Sequence, residues 1–180
     1  MIDDTCRDRK VRSLGELATE MAGFRARGQT IVLCHGCFDI LHIGHYRHLR
    51  AARVYGDKLV VSVTADEHVG KGLGRPVFPL ELRMELVAAL AIVDFVVPSF
   101  APDSRAILAT LLPDIYCKGA EYERSPMDER LASEVAALQS YGGRLVFTHD
   151  PVVSSSTQLL ARDVRIPRGA ISSPHGWSDE

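Results

Sequence analysis

Ile31-Val32-Leu33-Cys34, then His35-Gly36-Cys37-Phe38-Asp39, then His42-Ile43-Gly44-His45 stand close together in the chain. The apolar run from Thr30 reads as a buried strand, the glycine turn ends it, and the segment through Ala52 reads as a helix. A strand that turns sharply into a helix leaves the first helical N–H groups unpaired, and these, with the helix dipole, attract phosphate. His42 and His45 are three residues apart, so both imidazoles project from one helical face, each placed to donate a hydrogen bond to a phosphate oxygen. Gly44 between them has no side chain and lets a flat base or a sugar approach the backbone. The stretch therefore predicts a nucleoside triphosphate site. Cys34 and Cys37 also form a Cys-x-x-Cys, which would serve a redox pair or, with His42 and His45, half a zinc site. Against that, Phe38 to Leu41 separates the cysteines from the helix, and Cys34 continues the apolar strand as a small core residue.

Working outward, Ser13-Leu14-Gly15-Glu16 reads as a capping box for a helix running up to Gly28, expected as a lid on the sheet edge. Residues 1–12 are polar and expected to be a flexible N-terminus. Lys58 to Thr64 reads as a second buried strand after the turn Gly56-Asp57, which makes a right-handed βαβ unit with the first. Gly70-Lys71-Gly72-Leu73-Gly74-Arg75-Pro76 follows that strand's carboxyl end, where ligands bind in parallel sheets, and is expected to be a mobile phosphate-binding loop. Pro79 to Ile92 reads as a helix with Arg83 on its first turns, Phe95 to Val97 as a strand, and Ser104 to Leu112 as a helix stopped by Pro113. Ile115 to Lys118 is a fourth strand ending at Gly119, with its lysine expected to face the crevice. Met127 to Ser140 is a helix and Arg144 to Phe147 a fifth strand. Ser154-Ser155-Ser156-Thr157 opens a last helix, and its hydroxyls and N–H groups make either an ordinary cap or a second anion cradle. Residues 163–180, rich in Ser, Pro and Gly, are expected to be a disordered tail.

The 180 residues suit one domain, placed at residues 13–162. A net charge of -2, from 21 basic and 23 acidic residues, carries no electrostatic footprint for nucleic acid or an anionic membrane. The charged start is unlike a signal peptide, the four cysteines lack a framework spacing, and the longest apolar run, Leu86 to Val97, is too short to span a bilayer. A cytoplasmic protein with small-molecule partners is expected. The fold class expected is α/β, a single Rossmann-like doubly wound domain with a five-stranded, mainly parallel sheet and helices on both faces.

Taken in order, Gly36-Cys37-Phe38-Asp39, His42-Ile43-Gly44-His45, Arg75-Pro76, Arg83, Lys118-Gly119 and Ser155-Ser156-Thr157 resemble the cytidylyltransferase-like nucleotidyltransferase superfamily. Within it the chain, over Val11 to Leu160, is most similar to the adenylyltransferase domain of bifunctional heptose-phosphate kinase/adenylyltransferases. The resemblance implies transfer of a nucleoside monophosphate from ATP, with CTP the alternative, to a heptose 1-phosphate-like sugar phosphate or a polyol phosphate. It implies His42, His45, Lys71 and Arg83 as catalytic residues. Gly36, Cys37, Phe38, Asp39, Gly44, Lys118, Gly119, Glu121, Ser154, Ser155, Ser156 and Thr157 join the two histidines in binding nucleotide, and Arg75, Lys71 and Asp39 approach the acceptor. Mg²⁺ would be carried on the triphosphate, with no protein side chain assigned to a metal. A homodimer is expected, and with no kinase portion in the resemblance the acceptor would come from separate kinase and phosphatase enzymes. Two features depart from the family. Pro151-Val152-Val153 stands where related enzymes place an arginine before their Ser/Thr motif, and Lys118-Gly119-Ala120-Glu121-Tyr122 replaces Lys-Gly-Gly-Asp-Tyr. Class I aminoacyl-tRNA synthetases share His-Ile-Gly-His, but the chain has no Lys-Met-Ser-Lys-Ser loop. A non-catalytic nucleotide-binding module on the same fold is the rival from another class.

Overall fold

Strand β1 (Ile31–Gly36) puts Val32 and Cys34 into one apolar cluster and Ile31 and Leu33 into another, so both faces of the sheet are buried. The computed structural model describes residues 9–124 and 129–149. Around β1 lie β2 (Lys58–Thr64), β3 (Phe95–Ser99), β4 (Ile115–Gly119) and β5 (Arg144–Thr148), in the order β3-β2-β1-β4-β5 with every neighbouring pair parallel. Helices α2 (Ile43–Arg53) and α3 (Leu80–Ala88) cover the face that carries Val32, Val61 and Cys117. The opposite face carries α1 (Leu14–Ala26), α4 (Arg105–Leu111) and α6 (Glu129–Gln139), and a short helix α5 (Glu121–Arg124) follows β4. The order reverses between β1 and β4. Ligands of open α/β sheets bind in the crevice at such a reversal, outside the carboxyl ends of the strands.

Several elements differ from the sequence reading. The capping box at Ser13 and Glu16 forms, but α1 lies on the sheet face rather than its edge, because Leu17 and Met21 are both fully buried against Ile31, Leu33 and Val60. Residues 9–12 are not loose: Val11 bridges Val96, and the Arg12 amide donates to the Val96 carbonyl. Helix α3 ends at Ala88, short of Ile92, since the chain turns so that the Asp94 carboxylate can accept from the Leu59 amide at the start of β2. The Gly56-Asp57 turn is tight because a Cβ on Gly56 would strike the Thr30 carbonyl and the Val32 side chain. Ser154, Ser155, Ser156 and Thr157, their helix and the tail from 163 lie outside the described residues.

Candidate active site

Helix α2 begins at His42, whose backbone is extended and whose side chain makes no cap hydrogen bond, so the helix N-terminus is open toward the crevice. The rings of His42 and His45 stack at 3.8 Å between centroids and 23° between planes. Phe38, in the left-handed region at φ 46 and 4% exposed, sets its ring 5.1 Å from His45. Gly36 packs closely beneath it: a Cβ there would lie 3.2 Å from the Phe38 ring. Burial, then the neighbouring His42, then Lys71 push the His45 pKa down to about 3, and burial followed by Lys71 lowers that of His42. Both imidazoles are therefore neutral near pH 7, each with one ring N–H, rather than fixed cations. The His45 Nδ1 is buried without a hydrogen-bond partner. Lys71, on an exposed loop, is the cation whose field reaches both histidines.

Other expected site residues are placed differently. Arg83 is fully buried: Nε donates to the Phe78 carbonyl at 2.9 Å, and the two terminal nitrogens donate to the carbonyls of Cys37 and Thr64 and to Asp66. It joins the end of β2, the turn after β1 and the segment before α3. Its ion-pair partner is Asp66. Asp39, with no exposed surface, accepts from the Arg75 guanidinium and from the Val77 amide at 2.6 Å, so these two residues fasten the glycine-rich loop to the turn after β1. Gly72 and Gly74 have positive φ within that loop.

Lys118 does not extend freely into the crevice. Its ammonium pairs with Glu134 of α6 at 3.0 Å and lies over the rings of Tyr116 and Tyr122, 5.1 and 4.6 Å from their centroids. Glu134 also accepts from the Ser104 amide and the Tyr116 hydroxyl. Burial alone would raise the Glu134 carboxyl, but Lys118 and these hydrogen bonds outweigh it and hold the pKa below its ordinary value. Glu121 is brought against Gly119, where a Cβ would run into its carboxylate. Cys34 is buried with its thiol pKa pushed well up, by burial and then by Cys117, as suits a core residue rather than a reactive thiolate. Cys37 is half-buried in the turn.

Two further histidines, not singled out as site residues from the sequence, are held by hydroxyls at the strand ends. His35, at the end of β1, bonds through Nδ1 to Ser62 Oγ at 2.8 Å, and His48, one turn beyond His45, bonds through Nδ1 to Thr148 Oγ1 at 2.5 Å. Burial, then Lys118, push each down to about 4. The repeat of three in His42, His45 and His48 was the available signal for the second. Nothing local marks His35, whose partner lies on another strand.

The sequence profile of the family described as cytidylyltransferase-like matches residues 33–162. The chain is 43% identical over 133 residues to the bifunctional protein HldE of Alkalilimnicola ehrlichii, covering 72% of this chain and 27% of that protein. It is 40% identical over 156 residues to the bifunctional protein HldE of Alcanivorax borkumensis, covering 86% and 32%. The chain thus spans about a third or less of the length of these curated relatives. Among solved structures, the lipopolysaccharide core biosynthesis protein from Thermoplasma volcanium is similar with a TM-score of 0.54 and 29% identity, over 67% of this chain and 94% of that one. Pantoate-beta-alanine ligase from Francisella tularensis, complexed with beta-gamma ATP and beta-alanine, matches with a TM-score of 0.56 over 86% of this chain and 76% of that one; at 11% identity it shares the fold alone.

Proposed function

The chain belongs to the cytidylyltransferase-like family, and on that premise we propose that it is an adenylyltransferase that joins AMP from ATP to a heptose 1-phosphate-like sugar phosphate. The observation that carries the reading is the stacked, neutral pair His42 and His45 at an uncapped helix N-terminus in the crevice where the strand order reverses. The likeness to HldE proteins supports the adenylyl group and the sugar acceptor.

The acceptor phosphate is largely dianionic at neutral pH and attacks the α-phosphorus itself, so the reaction needs no general base and no enzyme nucleophile. One phosphorus–oxygen bond forms as the bond from the α-phosphorus to the bridging oxygen breaks, and that electron pair leaves with pyrophosphate. Charge gathers on the α-phosphate oxygens and on the leaving group. The N–H donors of His42 and His45, the free amides of α2 and the Lys71 ammonium are what this chain supplies to that charge. Because both imidazoles are neutral before substrate arrives, they align the phosphates without a Coulombic hold on product. Asp39 and Asp66 are already paired with arginines, which fits Mg²⁺ held by the triphosphate rather than by these carboxylates; bound there, it would supply charge neutralisation. Glu121 and the backbone at Gly119 would receive the exocyclic amino group of the base.

A screen of pyrophosphate release with the four nucleoside triphosphates against phosphorylated sugars and polyols tests the reading. ATP with a heptose 1-phosphate is the expected pair. Faster turnover with CTP would move the assignment to a cytidylyltransferase, and nucleotide binding without release for any acceptor would leave a binding module.

A further inference from the structure

The ladder between β1 and β4 pairs Val32 with Ile115, Leu33 with Tyr116 and Cys34 with Cys117, and stops there. His35 and Gly36 on one strand, and Lys118 and Gly119 on the other, run beyond the pairing into the crevice. The two walls of the crevice are α2, attached through the turn after β1, and the ends of β4 and β5. Among the described residues no β1–β4 ladder hydrogen bonds join these walls at the height of the site, so side-chain bonds across the gap bear on their separation.

A chain of two hydrogen bonds spans this gap. His48 Nδ1 lies 2.5 Å from Thr148 Oγ1, and that hydroxyl lies 3.3 Å from the Lys118 carbonyl, to which it donates. The Thr148 carbonyl in turn accepts from the Ala120 amide at 3.0 Å. A hydroxyl has one proton. With the Thr148 proton directed to the Lys118 carbonyl, His48 donates to Thr148 as the Nδ1–H tautomer. Thr148 is 6% exposed and His48 is half-buried, so the hydroxyl that makes both bonds is shielded from water. His48 stands three residues after His45 on the same stripe of α2, so whatever fixes His48 also fixes the two histidines ahead of it.

The geometry points to His48 as a positioning residue that keys the histidine helix to the ends of β4 and β5 through Thr148, and so sets the width of the crevice where the nucleotide lies between His42 and His45 on one side and Gly119 and Glu121 on the other. The kinetic consequence rests on the nucleotidyltransferase reading. The hydrogen bonds that carry the inference are independent of it.

Three single variants and one double variant test it. His48→Phe keeps a ring and loses the donor, Thr148→Val loses the hydroxyl, and His48→Asn places an amide N–H near the position of Nδ1. His48→Phe and Thr148→Val are each expected to raise the nucleotide KM about tenfold, with acceptor KM unchanged. The double variant should be no worse than either single one, because both break one chain of bonds. His48→Asn should recover most of the affinity. Lower stability in urea with unchanged nucleotide KM would overturn the proposal, and so would an additive double variant. If the wild-type protein releases no pyrophosphate with any acceptor, the transferase reading fails by itself; ATP affinity measured calorimetrically then decides the positioning role, which stands if His48→Phe weakens and His48→Asn restores it, and falls if neither variant changes it. A wild-type protein that binds neither ATP nor CTP would overturn both.

Discussion

Burial rather than a charged partner sets the state of His45, and the stacked His42 then disfavours a second positive charge beside it. A neutral imidazole still offers one N–H, and that donor costs no reorganisation when charge develops on a phosphate oxygen. Replacing either residue with alanine should lower turnover by roughly 10²–10³, the scale seen for loss of one preorganised donor, while the urea midpoint moves little. Turnover close to wild type in both variants would remove the central assignment. Arg83 answers to different physics. Its guanidinium, with no exposed surface, holds three carbonyls and the half-exposed Asp66, so Arg83→Met would strand the buried Thr64 carbonyl and should cost about 1–3 kcal/mol of stability, as for a buried acceptor left unpaired. Arg83→Lys should rescue little, since one ammonium cannot match the planar fork. If Arg83→Met instead leaves the urea midpoint in place and raises a substrate KM, the residue touches substrate after all.

Among the elements, the strands were legible because each is a short run of apolar residues bounded by turn residues, and a strand buried on both faces needs nothing else. The helix start at His42 was legible for the complementary reason: the pattern of apolar residues changes period after the glycine turn. What stayed hidden were the ion pairs between elements. Glu134 lies on α6 and Lys118 on β4, Asp66 follows β2 and Arg83 sits on α3, and no local spacing announces either pair. Without those partners in view, Lys118 reads as a nucleotide-binding lysine facing the crevice and Arg83 as a catalytic residue. Asp39 and Arg75, expected at the acceptor, lie together and pin the glycine-rich loop instead, which leaves Lys71 as the member of that loop near the histidines. The turn from β4 into α5 behaves differently, because Gly119 and Glu121 meet within three residues and were read together from the sequence. Gly119→Ala must displace the Glu121 carboxylate. If that carboxylate reads the base, a preference for ATP over GTP of roughly ten- to hundredfold in the wild type should narrow in Gly119→Ala. A competition of the two nucleotides at one acceptor measures it, and an unchanged preference would show that this edge is not being read.

For the whole molecule, right-handed βαβ connections put helices on both faces of the five-stranded parallel sheet, and among the described residues no helix is long and apolar enough to cross a membrane. His42, His45 and His48 follow one stripe at the start of α2 and His35 ends β1, and their collective titration belongs to no single element. Unfolded, each takes up a proton near its ordinary value of 6.5; folded, His35 and His48 do so only near about 4 and His45 near about 3. Between those limits the unfolded chain binds more protons than the folded one, so stability is fully present above about pH 6.5 and is lost as the pH falls toward about 4. Each histidine titrating in this way contributes a slope of up to about 1.4 kcal/mol per pH unit. Glu134 and Asp103, whose carboxyls are held low, add their loss only below ordinary values of 4.5 and 3.8, so the decline that begins between about pH 6.5 and about pH 5 belongs to the histidines. Urea unfolding across that range should show it, and His35→Gln combined with His48→Asn should flatten the curve even if it lowers the plateau at neutral pH. A wild-type curve that stays level down to about pH 5 would mean that the folded protein accepts these protons as readily as the unfolded chain, and the neutral donor pair at the head of α2 would have to be given up with it.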